Sequence, residues 1–564
     1  MSPKLTVTAS LLVLFVLFLA AILVTDHGQF TYTLDAPYTH LALAEQITHG
    51  TYGLNPGEPS APSSTILYPL LLVPLLFLGQ YGPLLICIAA TLGSGVAVCD
   101  LARVCGIRLE RMHPLHLAAI TISMAVSLNI VGVALTGLEH SLHTMLTILS
   151  LLGLVRFLSR GRSDWWWLLT IILLPLVRFE SISAVLTDAL VLFVFNKRAY
   201  AVLVLAAGFS LVIAFALFLH SQGLPYLPTS VTARSAVASS GLGMQGHHGI
   251  LTVLHSVVLV LKNNLLSFGA TQILLLMVFA GWSLGPFLAS LRLSLLGGDQ
   301  MSRAGLANAG SGAAGDFQLT GEGAPGFITP AAASFFILIA SAQMLAGSLQ
   351  SSGRYEVYLF LLGGCTLLVC YRQRIAAFVE GMSLGGCIAV CLTTLTLFAG
   401  YAVRNVEDVA ASRTLYVGSF QLRRFVTDDY RLPFAITRPG VVKFHNPYYM
   451  LDLSGLASAQ VQKAIIDHAP GDTEWMDRLV RTHGIGLAIL YSDGNTRPPS
   501  EWVPLAELQT AGRSIGIRGS IATFYAVRPE DMSPILRSLR SLQHHLNAGT
   551  DLQFINQLQA DRRY

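Results

Sequence analysis

A few ionisable side chains interrupt long apolar runs of this sequence, at points where a charge is costly. Arg178 and Glu180 stand between two apolar segments in PLVRFESISAVL, and Glu139 lies in TGLEHS. An ionised side chain at the centre of a bilayer costs roughly 2.5–3.5 kcal/mol on insertion scales, so such residues are candidates for function. The alternative for Arg178 and Glu180 is a mutual ion pair that only closes a helical hairpin.

A second group of polar residues lies in the loop 26–64, which follows the first apolar run. Asp35, His40 and Glu45 fall within TLDAPYTHLALAEQI, which is typical of a short amphipathic helix. Asp35 stands at the start of that helix, where a carboxylate can cap the free N–H groups of the first turn. Capping is therefore an alternative to a chemical role for Asp35.

Membrane-spanning helices are predicted to hold these residues in place. Of the 564 residues, 53% are hydrophobic and 12% are charged, whereas soluble domains carry about 25% charged residues. The composition excludes an ordinary soluble enzyme, and the lack of a dense basic tract argues against a nucleic-acid partner. All seven cysteines fall in or beside apolar segments, so the polar C-terminal region offers no disulfide framework.

Eleven spans are predicted from the apolar runs. Basic residues occur at every second connection, which places those connections in the cytoplasm, the N-terminus inside and the C-terminus outside. The predicted spans are residues 5–24, 83–104, 115–135, 139–158, 164–177, 181–196, 199–219, 262–290, 329–349, 356–371 and 376–401. Residues 65–79 are apolar but short and broken by Pro69 and Pro74, so we interpret them as a re-entrant or interfacial helix.

The composition divides the chain at about residue 402. Residues 1–402 form the predicted transmembrane module, with a flexible cytoplasmic loop at 293–327 that is rich in Gly, Ala and Ser. Residues 403–564 form a predicted extracytoplasmic α/β domain. Its predicted strands are 484–492 and 520–527, and its predicted helices are 457–468, 473–483 and 532–547. The fold class predicted is thus a polytopic α-helical membrane protein with a C-terminal soluble α/β domain.

Arginines on the predicted outer side indicate an anionic ligand. Arg234 follows two prolines in PYLPTSVTAR, and Arg354 stands alone between apolar spans in SGRYE. With Arg178, they share one side of the membrane with Asp35. Because a guanidinium can bind phosphate through two parallel hydrogen bonds, this pattern favours a phosphate-bearing ligand.

A metal site has little support in the sequence. His140 and His143 have the i, i+3 spacing of one helix face, but no third ligand of suitable type follows nearby. A divalent cation would be compatible with the acidic residues, and none is required by them. We therefore assign no metal ligands.

The order of these motifs resembles bacterial GT-C-fold glycosyltransferases that use polyprenyl-phosphate sugars. The resemblance is carried by DAPYTHLALAEQITHGTYGLNPGEPSAPSSTILYPLLL, then TGLEHS, PLVRFES, GLPYLPTSVTARS and SGRYEVYL, and by YYMLDLSGLAS in the tail. It is most similar to the group that includes the actinobacterial terminal arabinofuranosyltransferases, which also end in an external domain.

The resemblance implies roles for individual residues. Asp35 matches the second aspartate of a DDA pair and would be the catalytic base, whereas Leu34 stands where the family has the first aspartate. The substrate-binding residues implied by the remaining motifs or their neighbourhood are His40, Glu45, Glu139, Arg178, Glu180, Thr229, Arg234, Arg354 and Tyr355. Thr229 stands where the family has asparagine, and Arg234 where it has lysine.

The function implied is an inverting glycosyltransferase of the bacterial cytoplasmic membrane. Its partners would be a polyprenyl-phosphate-linked sugar as donor, an extracytoplasmic glycan or glycolipid as acceptor, and membrane lipid. A loop such as 224–249 would close over the donor. Three alternatives stay open at this point: a secondary transporter or flippase of a glycolipid, a protein O-glycosyltransferase, and an inactive scaffold whose tail binds glycan.

Overall fold

The structure, a computed structural model, describes most of the chain. The described residues are 1–228, 250–289, 324–347, 349, 353–469, 471–492, 496–510, 521–547 and 549–555. Thr229 and Arg234 lie outside them, as do most of the predicted lid 224–249 and of the predicted loop 293–327.

Helices form the N-terminal part of the chain, because its apolar runs are long and most of its prolines fall at or near helix ends. The helices are α1 (Pro3–Thr25), α2 (Ala36–Thr48), α3 (Leu67–Leu72), α4 (Tyr81–Val104), α5 (Pro114–Ser127), α6 (Ile130–Leu135), α7 (His140–Arg160), α8 (Trp165–Val177), α9 (Ile182–Val194), α10 (Arg198–Ser221), α11 (Ile250–Leu265), α12 (Ala270–Trp282), α13 (Ile328–Ala346), α14 (Val357–Cys370), α15 (Arg372–Glu380), α16 (Leu384–Leu397), α17 (Ala399–Val417) and α18 (Ser419–Arg424).

The fold is that of a multi-pass α-helical membrane protein, as predicted. In the part of the chain that the structure describes, five helices are long and apolar enough to cross a membrane. The number rises to eight if each of three bent helix pairs counts as one span. Large apolar side chains are exposed on these helices, Leu217 of α10 and Val16 of α1 among them, as expected of a surface that faces lipid. The count of eleven spans stays a prediction.

Residues 65–79 form a short, broken helix. The six residues of α3 are followed by six residues of 3-10 helix, Val73–Leu78, with Pro74 in the first turn of the second piece. Together they extend about 20 Å, which is less than the roughly 30 Å of a hydrocarbon core. Their length therefore fits the predicted interfacial or re-entrant helix better than a full span.

A six-stranded mixed sheet forms the core of the C-terminal region, in the order β2-β1-β3-β5-β4-β6. β1 pairs in parallel with β2 and β3, and the other neighbours are antiparallel. The strands are β1 (Phe434–Ile436), β2 (Met450–Asp452), β3 (Leu487–Tyr491), β4 (Val503–Thr510), β5 (Ile521–Ala526) and β6 (Thr550–Phe554). The helices of this region are α19 (Gly440–Lys443), α20 (Ala459–Asp467), α21 (Glu474–Thr482) and α22 (Met532–Gln543).

The sheet explains the apolar pattern of the tail. β3 is buried along its whole length, and its sequence LAILY is accordingly apolar throughout. β2 ends at Asp452, whose carboxylate accepts hydrogen bonds from the N–H groups of Ser454 and Ala457. The LDLSGL stretch is therefore a strand followed by a turn that the aspartate stabilises.

Helix α17 joins the two regions. α17 continues from α16 after a bend of 72° and runs past residue 402, the predicted boundary. A short π-helix, Phe425–Tyr430, then leads into β1. The loop 26–64 lies between the regions, and its helix α2 contacts α3 on one side and α19 on the other.

Candidate functional site

Two chain reversals bring Glu139 and Arg178 to the same end of the helical bundle. Glu139 precedes the first turn of α7, and Arg178 takes an extended conformation directly after α8. The turn before Glu139 contains Gly137, whose φ is +67°. A Cβ there would lie 2.5 Å from the ring of Tyr32, so both the backbone conformation and the space require glycine.

Arg178 binds two carboxylates. Its Nη1 donates to Oε1 of Glu139 over 2.8 Å, and its Nη2 and Nε donate to the two oxygens of Glu180 over 2.6 Å and 3.3 Å. The side chains of Arg178 and Glu139 are 7% and 4% exposed. Burial raises the pKa of Glu180, but the charge and hydrogen bonds of Arg178 outweigh it and lower the pKa to about 2. This ion-paired group therefore stays charged at any ordinary pH.

Tyr355 joins this cluster to a second arginine. The guanidinium carbon of Arg178 lies 4.9 Å from the centre of the Tyr355 ring, and that of Arg354 lies 5.0 Å from it. Within the described residues, Arg354 forms no ion pair, and its Nε is buried without a hydrogen-bond partner. Arg354 thus keeps donors for an anion, whereas Arg178 has committed its own donors to carboxylates.

His40 extends the cluster into α2. Its Nε2 lies 3.9 Å from Oε2 of Glu139, and its ring packs edge-on against Tyr68. Burial lowers the pKa of His40, and the nearby charge of Glu139 only partly opposes that effect. The imidazole is therefore neutral near pH 7 and contributes shape and dipole rather than charge.

Asp35 and Glu45, the other predicted residues of α2, contact the C-terminal region instead. The two carboxylate oxygens of Asp35 accept hydrogen bonds from the backbone N–H groups of Gly440, over 2.9 Å, and Val441, over 2.8 Å. Glu45 accepts from the N–H of His445 over 3.2 Å and pairs with its ring. The side chain of Asp35 makes no capping bond to α2, so the structure does not support the alternative that Asp35 only caps its own helix.

The surroundings of Asp35 raise the pKa of its carboxyl group. Burial raises the pKa of Asp35, and the N–H groups of Val441 and Gly440, with the charge of Arg438, oppose the shift only in part. This direction is opposite to that of Glu180. Asp35 is accordingly the better suited of the two carboxylates to take up a proton during a reaction.

A cleft joins the loop before α2 to Arg354. It is lined by Leu34, the neighbour of Asp35, and by Arg354, Arg404 and Asp408. Asp408 is held by the side-chain amide of Asn129 over 2.8 Å. The cleft therefore carries two guanidinium groups and, with Glu407, two carboxylates close to the chain segment that ends in Asp35.

The described residues do not form a metal site. No group of three or more His, Cys, Asp and Glu side chains among them is arranged to hold a metal ion. His140 packs against Tyr355, and Nε2 of His143 lies 2.7 Å from the hydroxyl of Ser181, so the two histidines have other partners. Glu139 and Glu180 are both bound to Arg178.

Comparison with known proteins finds two similar solved structures. No protein-family model and no curated protein matches the chain. The crystal structure of ArnT from Cupriavidus metallidurans bound to undecaprenyl phosphate is 12% identical, with a TM-score of 0.40, over 92% of this chain and 98% of that one. The apo structure of the same protein is 11% identical, with a TM-score of 0.38, over 93% and 99%. The similarity is remote, although it extends over nearly the whole of both chains.

The structure thus divides the predicted residues into two groups. It brings together His40, Glu139, Arg178, Glu180, Arg354 and Tyr355. Asp35 and Glu45 lie on another face of α2, against the C-terminal region. The predicted roles of all these residues remain proposals.

Two features were missed by the sequence analysis. Arg404 could have been found, because it is the first charged residue after the last apolar run, on the same predicted side as Arg354. The contact of Asp35 with Gly440 and Val441 had no such signal, since its donors are backbone N–H groups that every residue except proline possesses.

Proposed function

We propose that this protein is an inverting glycosyltransferase that moves a sugar from a polyprenyl-phosphate donor to an extracytoplasmic glycan or lipid acceptor. The observation that carries the proposal is the lack of an ion-pair partner for Arg354 among the described residues. This guanidinium is half-buried beside the ion-pair cluster of Arg178, and within those residues its buried Nε has no hydrogen-bond partner. A partly buried charge without a partner is costly, so an anion is the expected ligand.

The donor phosphate would be bound by Arg354 and Arg404 in the cleft that they share. Arg178 would act differently, because its donors are occupied by Glu139 and Glu180. It would hold the ring of Tyr355 against Arg354 and so fix the direction of the Arg354 guanidinium. Arg234, outside the described residues, is proposed as a further cation for the phosphate, with Thr229 nearby in sequence.

The transfer itself would be a single displacement. The acceptor hydroxyl oxygen bonds to the anomeric carbon while the bond from that carbon to the phosphate oxygen breaks, and its electron pair stays on the phosphate. The acceptor proton passes to Asp35, whose raised proton affinity suits a general base. The guanidinium of Arg354 stabilises the charge that develops on the leaving phosphate. One displacement at the anomeric carbon inverts its configuration.

The test is turnover by the purified protein in lipid nanodiscs. Synthetic polyprenyl-phosphate pentoses, hexoses and aminosugars serve as donors, with glycan, glycolipid and peptide acceptors. We expect transfer from at least one donor, with inversion visible in the anomeric proton coupling of the product. Retention of configuration would contradict the mechanism. Solute flux in vesicles without turnover of any donor would favour the transporter instead.

A substitution of Arg354 and a matched control substitution can be compared in this assay. We expect Arg354→Ala to lower kcat on the order of 10²–10³-fold, the usual effect of removing one group that stabilises developing negative charge. Arg374→Ala removes an exposed arginine from α15 and should leave turnover unchanged. Equal effects of the two substitutions would contradict the proposed role of Arg354.

We further propose that the protein resides in the bacterial cytoplasmic membrane, with the N-terminus in the cytoplasm and the C-terminal region outside. The support is the alternation of basic connections along the chain. Arg108→Cys and Leu432→Cys place a thiol at an exposed position of each predicted side. An impermeant maleimide should label only the second in intact spheroplasts. Labelling of the first, or of both, would contradict this topology.

A further inference from the structure

We infer that the C-terminal region is part of the proposed transfer site, because the backbone N–H groups of Gly440 and Val441 position the carboxylate of Asp35. This inference rests on the proposed function, in which Asp35 is the base. Gly440 and Val441 are positioning residues in it, since they act on the substrate only through Asp35. The C-terminal region would then be required for the chemical step itself and not only for holding an acceptor.

The first support is the close approach of the two chain segments. A Cβ on Gly440 would lie 2.3 Å from Oδ2 of Asp35 and 2.4 Å from its backbone oxygen. Real Cβ atoms do not come so near to a backbone atom, so any other residue at 440 would push the two segments apart. The φ of Gly440 is not positive, and the requirement for glycine is therefore one of space and not of backbone conformation.

The second support is that further hydrogen bonds join the same two chain segments on one side of the Asp35 contact. Asp35 binds residues 440 and 441, Glu45 binds His445, and Asn55 binds Met450. The amide of Asn55 makes two bonds to Met450, donating to its carbonyl over 2.9 Å and accepting from its N–H over 3.2 Å. The loop 26–64 therefore lies along the segment 440–450 and is fixed to it at three successive points.

The segment 440–450 is itself held rigidly. The amine of Lys443 is buried and donates to the carbonyl oxygens of Asn446 and Tyr448 over 3.1 Å and 2.9 Å. Tyr38, one turn after Asp35, packs against Phe420 and against Phe444 of the same segment. Both partners of the Asp35 contact are thus fixed before any substrate binds, as positioning of a base requires.

The two N–H groups also have a consequence for proton transfer. Each donates to one oxygen of Asp35, so each oxygen keeps a lone pair for the acceptor hydroxyl. Hydrogen bonds to the ionised form favour that form, which keeps the buried carboxylate able to act as a base. Loss of these bonds would leave Asp35 both displaced and more readily protonated.

Gly440→Ala tests the inference, with Gly385→Ala as the matched control. A Cβ at Gly385 would meet only the hydroxyl of Ser383, at 3.8 Å. We expect Gly440→Ala to lower kcat on the order of 10²-fold, with little change in KM for the donor. The acidic limb of the pH–kcat profile should move to higher pH, which a merely structural defect would not cause. Gly385→Ala should change neither quantity.

His445→Ala keeps the test decisive if Gly440→Ala fails to fold. His445 is more than half exposed, so its removal should be tolerated, but it releases the ring that pairs with Glu45. We expect a loss of kcat of roughly fivefold with a shift of the acidic limb in the same direction. An unchanged profile in the folded variants would overturn the inference, and so would a gain of activity, since the contact would then be inhibitory. Absence of turnover in the wild type would instead overturn the proposed function.

Discussion

Helix α2 meets two different kinds of partner on two of its faces. Towards the membrane helices, His40 approaches a carboxylate that is paired with the buried guanidinium of Arg178. Towards the C-terminal region, Asp35 receives two backbone N–H groups and no full positive charge within ion-pair distance among the described residues. On the first face the carboxylate of Glu180 stays ionised, because the positive charge of Arg178 lowers its pKa. On the second face, burial raises the pKa of Asp35, and the two N–H groups and the more distant charge of Arg438 oppose that shift only in part.

The two environments suit the carboxylates of Glu180 and Asp35 to different roles. A general base needs a proton affinity close to the working pH, and a carboxylate that binds a guanidinium through both oxygens does not have it. Glu180 therefore suits a structural framework around Arg178, to which Glu139 also binds, whereas Asp35 suits proton transfer. Substitutions at Asp35, Arg178 and Glu180 test whether the two faces of α2 differ in this way.

The largest effect is expected from Asp35→Asn. The amide cannot accept the acceptor proton, so turnover should fall on the order of 10²–10⁴-fold while the protein still folds. Asp100→Asn is the control, because Asp100 pairs with Lys4 near the start of α1 and with Arg103 on its own helix, and with none of the proposed site residues. The measurement is donor turnover in nanodiscs. Activity that survives Asp35→Asn would show that the two faces of α2 do not differ in this way.

Arg178→Met should give the next largest effect, and it should be on stability. The substitution leaves Glu139 and Glu180 without their shared partner, and breaking a buried ion pair costs about 3–5 kcal/mol. Arg481→Met is the control, because Arg481 pairs with Asp477 at an exposed position, where such a pair contributes about 1 kcal/mol or less. Thermal unfolding in detergent measures both. Equal shifts in Tm would contradict the view that the Arg178 cluster is the framework.

The smallest expected effect is a pH dependence of the stability that the ion pair of Glu180 with Arg178 contributes. The pKa of Glu180 lies near 2 in the folded protein and near its usual 4.5 in the unfolded chain. Its ion pair therefore contributes full stability above about pH 4.5, and the contribution is lost as the pH falls towards 2. The difference in Tm between the wild type and Glu180→Gln should be largest near pH 7 and should shrink towards about pH 3. A difference that is the same at both pH values would place the cause elsewhere.

The Arg178 cluster could be predicted from the sequence because each of its charges stands in an apolar setting. Arg178 and Glu180 are two residues apart, and Glu139 lies in the preceding connection on the same predicted side of the membrane, so the hairpin of α7 and α8 brings them near one another. The helices themselves follow from the length of the apolar runs, and the tail strands LAILY and IATFYA follow from their apolar and β-branched composition.

The partner of Asp35 could not be predicted in the same way. The sequence identified Asp35 correctly as a residue at the start of α2, but the local capping that this position suggests does not occur. The actual partners belong to another region of the chain and act through their backbone, whose N–H groups carry no sequence pattern. Only the proline and glycine of the segment RPGVVKFH mark it as a turn into a short helix.

Asp35 and Gly440 are 405 residues apart in the sequence, so their contact can form only late in the synthesis of the chain. A ribosome adds about 5–20 residues per second, so the loop 26–64 would wait roughly 20–80 s for the segment that completes it. During that time α2 has its membrane-side neighbours but lacks α19. A chain that ended just before residue 440 would therefore contain every ionisable residue of the proposed site and still leave its base unsupported.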